Sequence, residues 1–307
     1  MRFLAAIFFL MAASAAVHAQ EDSALEAQLQ GLIQSHHGHV ALYARDLNSG
    51  KTVAINADTP VPTASVIKLT VLFEALKQIQ EGKVHFDDKV TLTKANQVEG
   101  SGVLMFFDAP QTLTLKDVLT MMIIVSDNTA TNVAIDYVGL KNIDDRIQWL
   151  GLKDTWLYKK VSLRPSGPVP ADQKQFGLGK TTAREMASIM ERFATCNLSA
   201  PGSTAKPTEQ DQQLCTAAMH MLRNQFYRNS IPRYLETIDT TEGESKIANK
   251  TGALNAVRND VGVVFAKNGP VVISEFTWGN QDESWTPDNA AEVLLAKLAK
   301  ALVDGWQ

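Results

Sequence analysis

Apolar and polar positions follow a helical period in the middle of this chain and a strand period towards both ends. Leu25 to Gln34 repeats its apolar residues at helical spacing, and residues 40 to 46 then alternate as a strand before the turn Asn48-Ser49-Gly50. Thr52 to Asn56 is predicted to pair back on that strand as a hairpin. From Ser65 to Gln80 the residues Leu69, Leu72, Leu76 and Ile79 mark one helical face, with Gly82 as the stop. Thr114 and Asp117 have the spacing of a helix-opening cap, and Leu115 to Val125 is apolar nearly all round, which predicts a helix inside a core. Strand character returns at residues 245 to 251, 260 to 266 and 271 to 278, and Asn268-Gly269 between the last two is a strong hairpin turn. Thr286-Pro287 is predicted to open a final helix whose Leu294, Leu295, Leu298 and Leu302 share a face.

Strands at both ends and helices between them predict an α/β fold of the α+β kind: one antiparallel sheet built from both termini, packed with helices. No internal repeat and no long linker divides the chain, so residues 20 to 307 read as a single domain.

The first residues change the expected location. Met1 and Arg2 precede an apolar stretch from Phe3 to Val17 that closes on Val17-His18-Ala19, the pattern of a secretory signal peptide over residues 1 to 19. The stretch is short for a membrane span, and no stop-transfer pattern follows it. The expectation is a secreted or periplasmic protein, free of the membrane after cleavage. Removing the leader leaves 288 of 307 residues and, with Arg2, moves the net charge from −4 to −5. Such a balance gives no support for nucleic-acid binding, and 45% hydrophobic residues is ordinary for a globular chain. Cys196 and Cys215 flank one polar loop, so in an oxidising compartment a disulfide is expected between them.

Three short strings carry the chemistry: Ser65-Val66-Ile67-Lys68, Ser126-Asp127-Asn128 and Lys250-Thr251-Gly252. A serine and a lysine three apart share one side of a helix, and a serine hydroxyl becomes a useful nucleophile when a nearby base accepts its proton. Lysine is that base only when neutral part of the time, which a desolvated site or a second cation such as Lys250 provides. One such pair is expected by chance in a chain of this length, at roughly ordinary residue frequencies. The other two strings, one after a buried helix and one at a strand end, remove that reading.

With these motifs the chain resembles the class A serine beta-lactamase family, over nearly all of residues 20 to 307. The resemblance implies a beta-lactamase/transpeptidase-like fold, an antiparallel sheet beside an all-helical subdomain with the site between them. It makes Ser65 the nucleophile, Lys68 its base and Ser126 a proton shuttle towards the leaving amine. Asn128 would bind the ligand's amide side chain, Lys250 and Thr251 its carboxylate, and the N–H groups of Ser65 and Ala253 the oxyanion, while Gly252 keeps the strand edge open. It also implies opening of beta-lactam rings by a monomer, with a small beta-lactam or cell-wall peptide as substrate and no metal or organic cofactor. The alternative is a penicillin-binding or D-alanyl peptidase-like protein that is acylated and turns over poorly.

One family residue has no counterpart. Asn132 matches the asparagine that helps hold the family's water-activating glutamate, but no glutamate occurs between Glu99 and Glu185. The corresponding segment, Lys153 to Lys180, carries Arg164, Pro165, Pro168 and Pro170 and, as acids, Asp154 and Asp172. Acylation is therefore expected to outpace release, with Lys68 or Asp172 as candidate substitutes. Arg258 is a second candidate carboxylate anchor or an ordinary surface arginine; Phe106 and Phe107 either wall the cleft near Ser126 or, the commoner fate of such residues, pack inside; His36, His37 and His39 lack a companion carboxylate motif for metal. The final helix, with Lys297 and Lys300, is expected to cover the sheet.

Overall fold

The computed structural model describes residues 20–235 and 245–307; the leader expected over residues 1 to 19 lies outside them. The chain begins with β1 (Gln20–Glu21), α1 (Ser23–Ile33), β2 (His39–Asp46), β3 (Lys51–Ile55) and β4 (Val61–Pro62). The middle holds α2 (Lys68–Gln80), β5 (Lys89–Leu92), β6 (Gln111–Thr114), α3 (Leu115–Ile124), α4 (Asn128–Val138), α5 (Leu140–Trp149), β7 (Trp156–Leu157), α6 (Gln173–Phe176), β8 (Gly179–Thr181), α7 (Ala183–Ala194) and α8 (Glu209–Arg223). It closes with β9 (Ile247–Leu254), β10 (Val257–Ala266), β11 (Gly269–Trp278) and α9 (Ala290–Trp306).

Among the described residues, both ends of the chain build a six-stranded sheet in the order β1-β3-β2-β11-β10-β9. All its pairings are antiparallel except β1 with β3. This is the sheet assembled from both termini that the hydrophobic pattern predicts. The strands do not show the alternating burial of a half-solvated sheet: Val40 to Tyr43 are all buried, because helices cover both faces. On one face Leu25 and Leu29 of α1 and Leu294, Leu298 and Leu302 of α9 join Val40, Leu42, Val53 and Ile273 in one cluster. Burying each such leucine contributes roughly 1.5–3 kcal/mol. On the other face Ala41, Val261, Val263 and Phe276 meet α2 and α7 in the larger core.

One element boundary and one burial pattern differ from the sequence expectation. The last helix starts at Ala290, because the Asn289 side chain accepts from the N–H groups of Ala291 and Glu292 and so caps it; Thr286-Pro287 stays in the preceding loop. The cap at Thr114 and Asp117 forms as a reciprocal pair, with Asp117 N–H on Thr114 Oγ1 at 3.0 Å and Thr114 N–H on Asp117 Oδ2 at 3.1 Å. The α3 helix it opens buries Leu115, Val118, Leu119, Met122 and Ile123, while Met121 and Ile124 stay half-exposed, so the helix is one-sided rather than enclosed.

Candidate active site

Three backbone features bring the predicted strings together. Ser65 sits in a 3-10 turn, Ala64–Ile67, that feeds into α2, rather than inside the helix. Lys68 is the first residue of α2 and is fully buried. Ser126, between α3 and α4, takes φ +54°, and the next residue caps α4: Asp127 Oδ1 accepts from Ala130 N–H at 2.8 Å. The other carboxylate oxygen of Asp127 accepts from Val103 and Leu104 N–H at 2.6 and 2.8 Å, tying the residue 100–104 loop to the site. Gly102 permits this approach, since a Cβ there would lie 2.2 Å from Asp127 Oδ2.

The third string lies on β9, an edge strand packed against the Ser65 turn. A Cβ on Gly252 would fall 2.8 Å from Thr63 O, 2.9 Å from Ser65 N and 3.0 Å from Val66 N, so glycine lets the strand meet the turn backbone to backbone. Asn259, opposite Gly252 in the ladder, reinforces the junction by donating to Pro62 O at 2.9 Å and Thr63 O at 3.2 Å.

At the centre is the Ser126 hydroxyl. It accepts from Lys68 Nζ at 3.1 Å and from Lys250 Nζ at 2.9 Å. Lys68 also donates to Ser126 O at 2.6 Å and Asn128 Oδ1 at 2.9 Å, and Lys250 to Thr251 O at 2.8 Å. Among the described residues Ser65 Oγ makes no hydrogen bond, so the resting contact of Lys68 is with Ser126 rather than with the Ser65 hydroxyl. Burial, joined by the charge of Lys250, holds the Lys68 amine well below the ordinary lysine value. Burial also brings Lys250 down to about 7, with the Asp260 carboxylate opposing. Asp260 is itself pushed up to about 6 by burial, although Asn249 donates to both its oxygens at 3.0 Å. Beside it in the ladder, Glu275 is fully buried with neither carboxylate oxygen bonded, and burial raises it well above the usual range.

Ser65, Ser126, Thr251, Gly252 and Ala253 line one cleft of about 500 Å³, with Gly100 and Ser101 on one side and Tyr227, Asn229, Arg258, Trp285 and Glu292 on the other. Lys68 and Lys250 lie behind this surface, fully buried. Sequence reasoning left Tyr227, Trp285 and Glu292 unnamed, for their neighbours in sequence carry no motif. Arg258 is no surface arginine: it is 2% exposed, its guanidinium donates to Val257 O at 2.8 Å and Ser284 O at 2.6 Å, and Glu292 lies 3.4 Å away. Phe106 and Phe107, expected to wall the cleft or pack inside, are 77% and 46% exposed and do not line the cleft. His36 bonds Asn280 and His39 stacks on Trp278. The Cys196 and Cys215 sulfurs are joined, with Cα atoms 5.5 Å apart.

The segment from Lys153 to Lys180 holds no glutamate of its own and is pinned by residues on both sides of it. Asn132, buried, donates to Val161 O at 3.1 Å and accepts from Val161 N–H at 2.8 Å, so its amide is committed to backbone. Glu185 accepts from Asp154 N–H and Thr155 Oγ1 at the start of the segment. Asp172 accepts from Tyr158 Oη and Lys180 Nζ, both at 2.8 Å, and lines no part of the cleft; neither does Asp154.

An antiparallel sheet against a helical layer, with Ser65 at the cleft and Lys68, Ser126 and Lys250 buried beside it at the junction, defines a beta-lactamase/transpeptidase-like fold. The chain belongs to the beta-lactamase enzyme family, whose model matches residues 24–306. It is similar to a beta-lactamase of Streptomyces fradiae, 24% identical with 98% of this chain and 92% of that one covered. A beta-lactamase regulatory protein, BlaB, of Streptomyces cacaoi is 24% identical over 85% of this chain and 90% of its own length. Among solved structures, the beta-lactamase from Sphaerobacter thermophilus superposes with a TM-score of 0.76 at 27% identity, covering 92% of this chain and 97% of that one. PBP-A shares the fold at a TM-score of 0.75 and 22% identity, covering 94% of this chain and 97% of that one. These likenesses place the chain with the class A serine-type members.

Proposed function

We propose that this protein is an exported serine acyl-transfer hydrolase that opens beta-lactam rings through an ester on Ser65 and releases the acyl group slowly. One observation carries the reading: the Ser126 hydroxyl is shared by two buried lysine amines beside Ser65. The Lys68 amine, kept partly neutral by burial, takes the Ser65 hydroxyl proton as Oγ bonds to the lactam carbonyl carbon. Catalytic hydrogen bonds are often long before a ligand enters, so the open Ser65–Lys68 contact does not count against this step. The N–H groups of Ser65 and Ala253 hold the oxyanion; losing one such donor typically costs about 3 kcal/mol of barrier. When the carbonyl carbon–nitrogen bond breaks, the ring nitrogen takes the Ser126 proton, and Lys68 returns its acquired proton to Ser126 across their 3.1 Å contact. Thr251 and Lys250 hold the ligand carboxylate, and Asn128 its amide side chain.

Release needs a base for water. Among the described residues lining the cleft the sole carboxylate is Glu292, which is occupied by Arg258, and the Asn132 amide is spent on Val161. Slow release is the consequence. The same observation favours a second reading, a beta-lactam-binding protein that stays acylated. Export is supported by the charged start, apolar core and small-residue end of residues 1 to 19.

A mass-spectrometric time course with a penicillin and a chromogenic cephalosporin tests both readings. The expected result is one adduct per chain that persists for minutes, decays with slow ring hydrolysis, and is absent in Ser65→Ala. Adduct with no hydrolysis at all selects the binding protein. Rapid turnover without adduct rejects slow release, and neither adduct nor turnover rejects the whole proposal.

A further inference from the structure

We infer that Trp285 is a preformed stacking platform that selects ligands carrying a flat, uncharged aromatic ring beside the carboxylate. The inference rests on the acylation reading above and names the ligand class of that site.

Trp285 lines the cleft and is 67% exposed, while one face of its ring is covered by the Arg258 guanidinium, 4.6 Å from the ring centroid. An indole that packs on one face and offers the rest to a cleft leaves apolar surface in water, a cost that a bound ring recovers. The loop carrying it is fixed from both ends. Asp282 accepts from Ser284 N–H at 2.9 Å and from Ala290 N–H at 2.7 Å. Asn289 donates to Asp282 O at 3.0 Å and Ser284 O at 2.9 Å, and Arg233 binds Asp288 at 2.7 Å. Holding a contact side chain in place before the ligand arrives lowers the ordering cost of binding.

Arg258 is part of this support: backbone carbonyls take up its Nη1 and one N–H of Nη2, although the residue still lines the cleft. Besides Val257 O and Ser284 O, it donates to Leu254 O, and Glu292 balances its charge. Strand alternation then fixes which part of a ligand meets the platform. Thr251 and Ala253 project to one face of the sheet, and Arg258, opposite Ala253 in the ladder, projects to that same face. Lys250 projects to the other face, towards Ser126. The platform therefore stands on the Thr251 side of β9, next to one of the two residues proposed to hold the carboxylate, and on the face away from Lys250 and Ser126. A guanidinium behind the indole opposes a second cation in front of it, so an uncharged ring is the favoured partner.

The test uses two cephalosporins with the same acyl side chain, one with a methyl group and one with a neutral styryl-type ring beside the carboxylate. In the natural protein the second-order acylation rate should favour the aryl ligand about 5-fold, as expected of one aromatic contact. Trp285→Ala should bring the aryl-to-methyl ratio towards one, Trp285→Phe should keep most of it, and Phe106→Ala, outside the cleft, should leave it unchanged. A ratio that survives Trp285→Ala overturns the inference. Calorimetric binding of the aryl ligand to Ser65→Ala, with and without Trp285→Ala, reads the platform independently of chemistry. Equal affinities there overturn it, whereas an affinity difference without acylation in the natural protein rejects the acylation reading and keeps the platform.

Discussion

At the scale of single residues, two buried amines meet on one hydroxyl, and burial favours the neutral form of both. In the proposed acylation Lys68 acts as a base when neutral and Lys250 holds a carboxylate when charged; both are pulled down by burial, and each lies within reach of the same hydroxyl. Raising the pH frees Lys68, which speeds proton removal, and discharges Lys250 around 7, which weakens carboxylate binding. The sign for acylation is therefore a rise and then a fall, with apparent values that belong to the coupled pair. Lys250→Arg keeps the cation across this range. Stopped-flow acylation from pH 5 to 9 should show the alkaline fall in the natural protein, about 10-fold by one unit above the midpoint, and its absence in the arginine variant. An unchanged alkaline limb in Lys250→Arg would assign it to another group.

At the scale of elements, the meeting of β9 with the Ser65 turn sets where the proposed oxyanion donors, the N–H groups of Ser65 and Ala253, stand. Gly252 sits where any side chain would press on Thr63 O, Ser65 N and Val66 N. Gly252→Ala should push strand and turn apart by a few tenths of an ångström and misplace the Ser65 and Ala253 N–H groups together. Acylation should fall by about 100-fold, the loss typical of one oxyanion donor, while thermal unfolding moves by only a few degrees. A variant acylated at the natural rate would show that the junction tolerates the methyl group and that the donors are elsewhere. The sequence announced this junction through Lys250-Thr251-Gly252 because the chemistry needs those residue types at fixed spacing. It did not announce the Lys68 contact with Ser126, which joins positions 58 apart in sequence, nor the cap at Asn289, which competes with an equally good start at Thr286-Pro287. The sequence leaves Arg258 open between anchor and surface charge because a single arginine in a strand gives no hint of the carbonyls that enclose it.

At the scale of the whole molecule, the sheet and the helical layer are tied together by more than the site. The sheet itself was legible in the sequence, since its strands are short apolar runs with turn dipeptides between them. The burial of Asp260 and Glu275 was not, because polar residues at alternate strand positions read as a solvated face until α9 is laid over them. The disulfide belongs to this scale: Cys196 follows α7, which packs on β2, β10 and β11, and Cys215 lies in α8, which packs on β9. It closes a loop with a sequence separation of 19, and such closure contributes about 3 kcal/mol by restricting the unfolded chain. Because the stabilisation acts on the unfolded state, reduction or Cys215→Ala should lower the unfolding temperature by roughly 6–12 °C. It should leave the acylation rate at 25 °C within about twofold, since neither cysteine lines the cleft. Thermal denaturation with and without reductant, paired with an acylation assay on the same samples, separates the two effects. A parallel loss of acylation would mean that the α7–α8 link positions Ser126 or β9 in the folded protein.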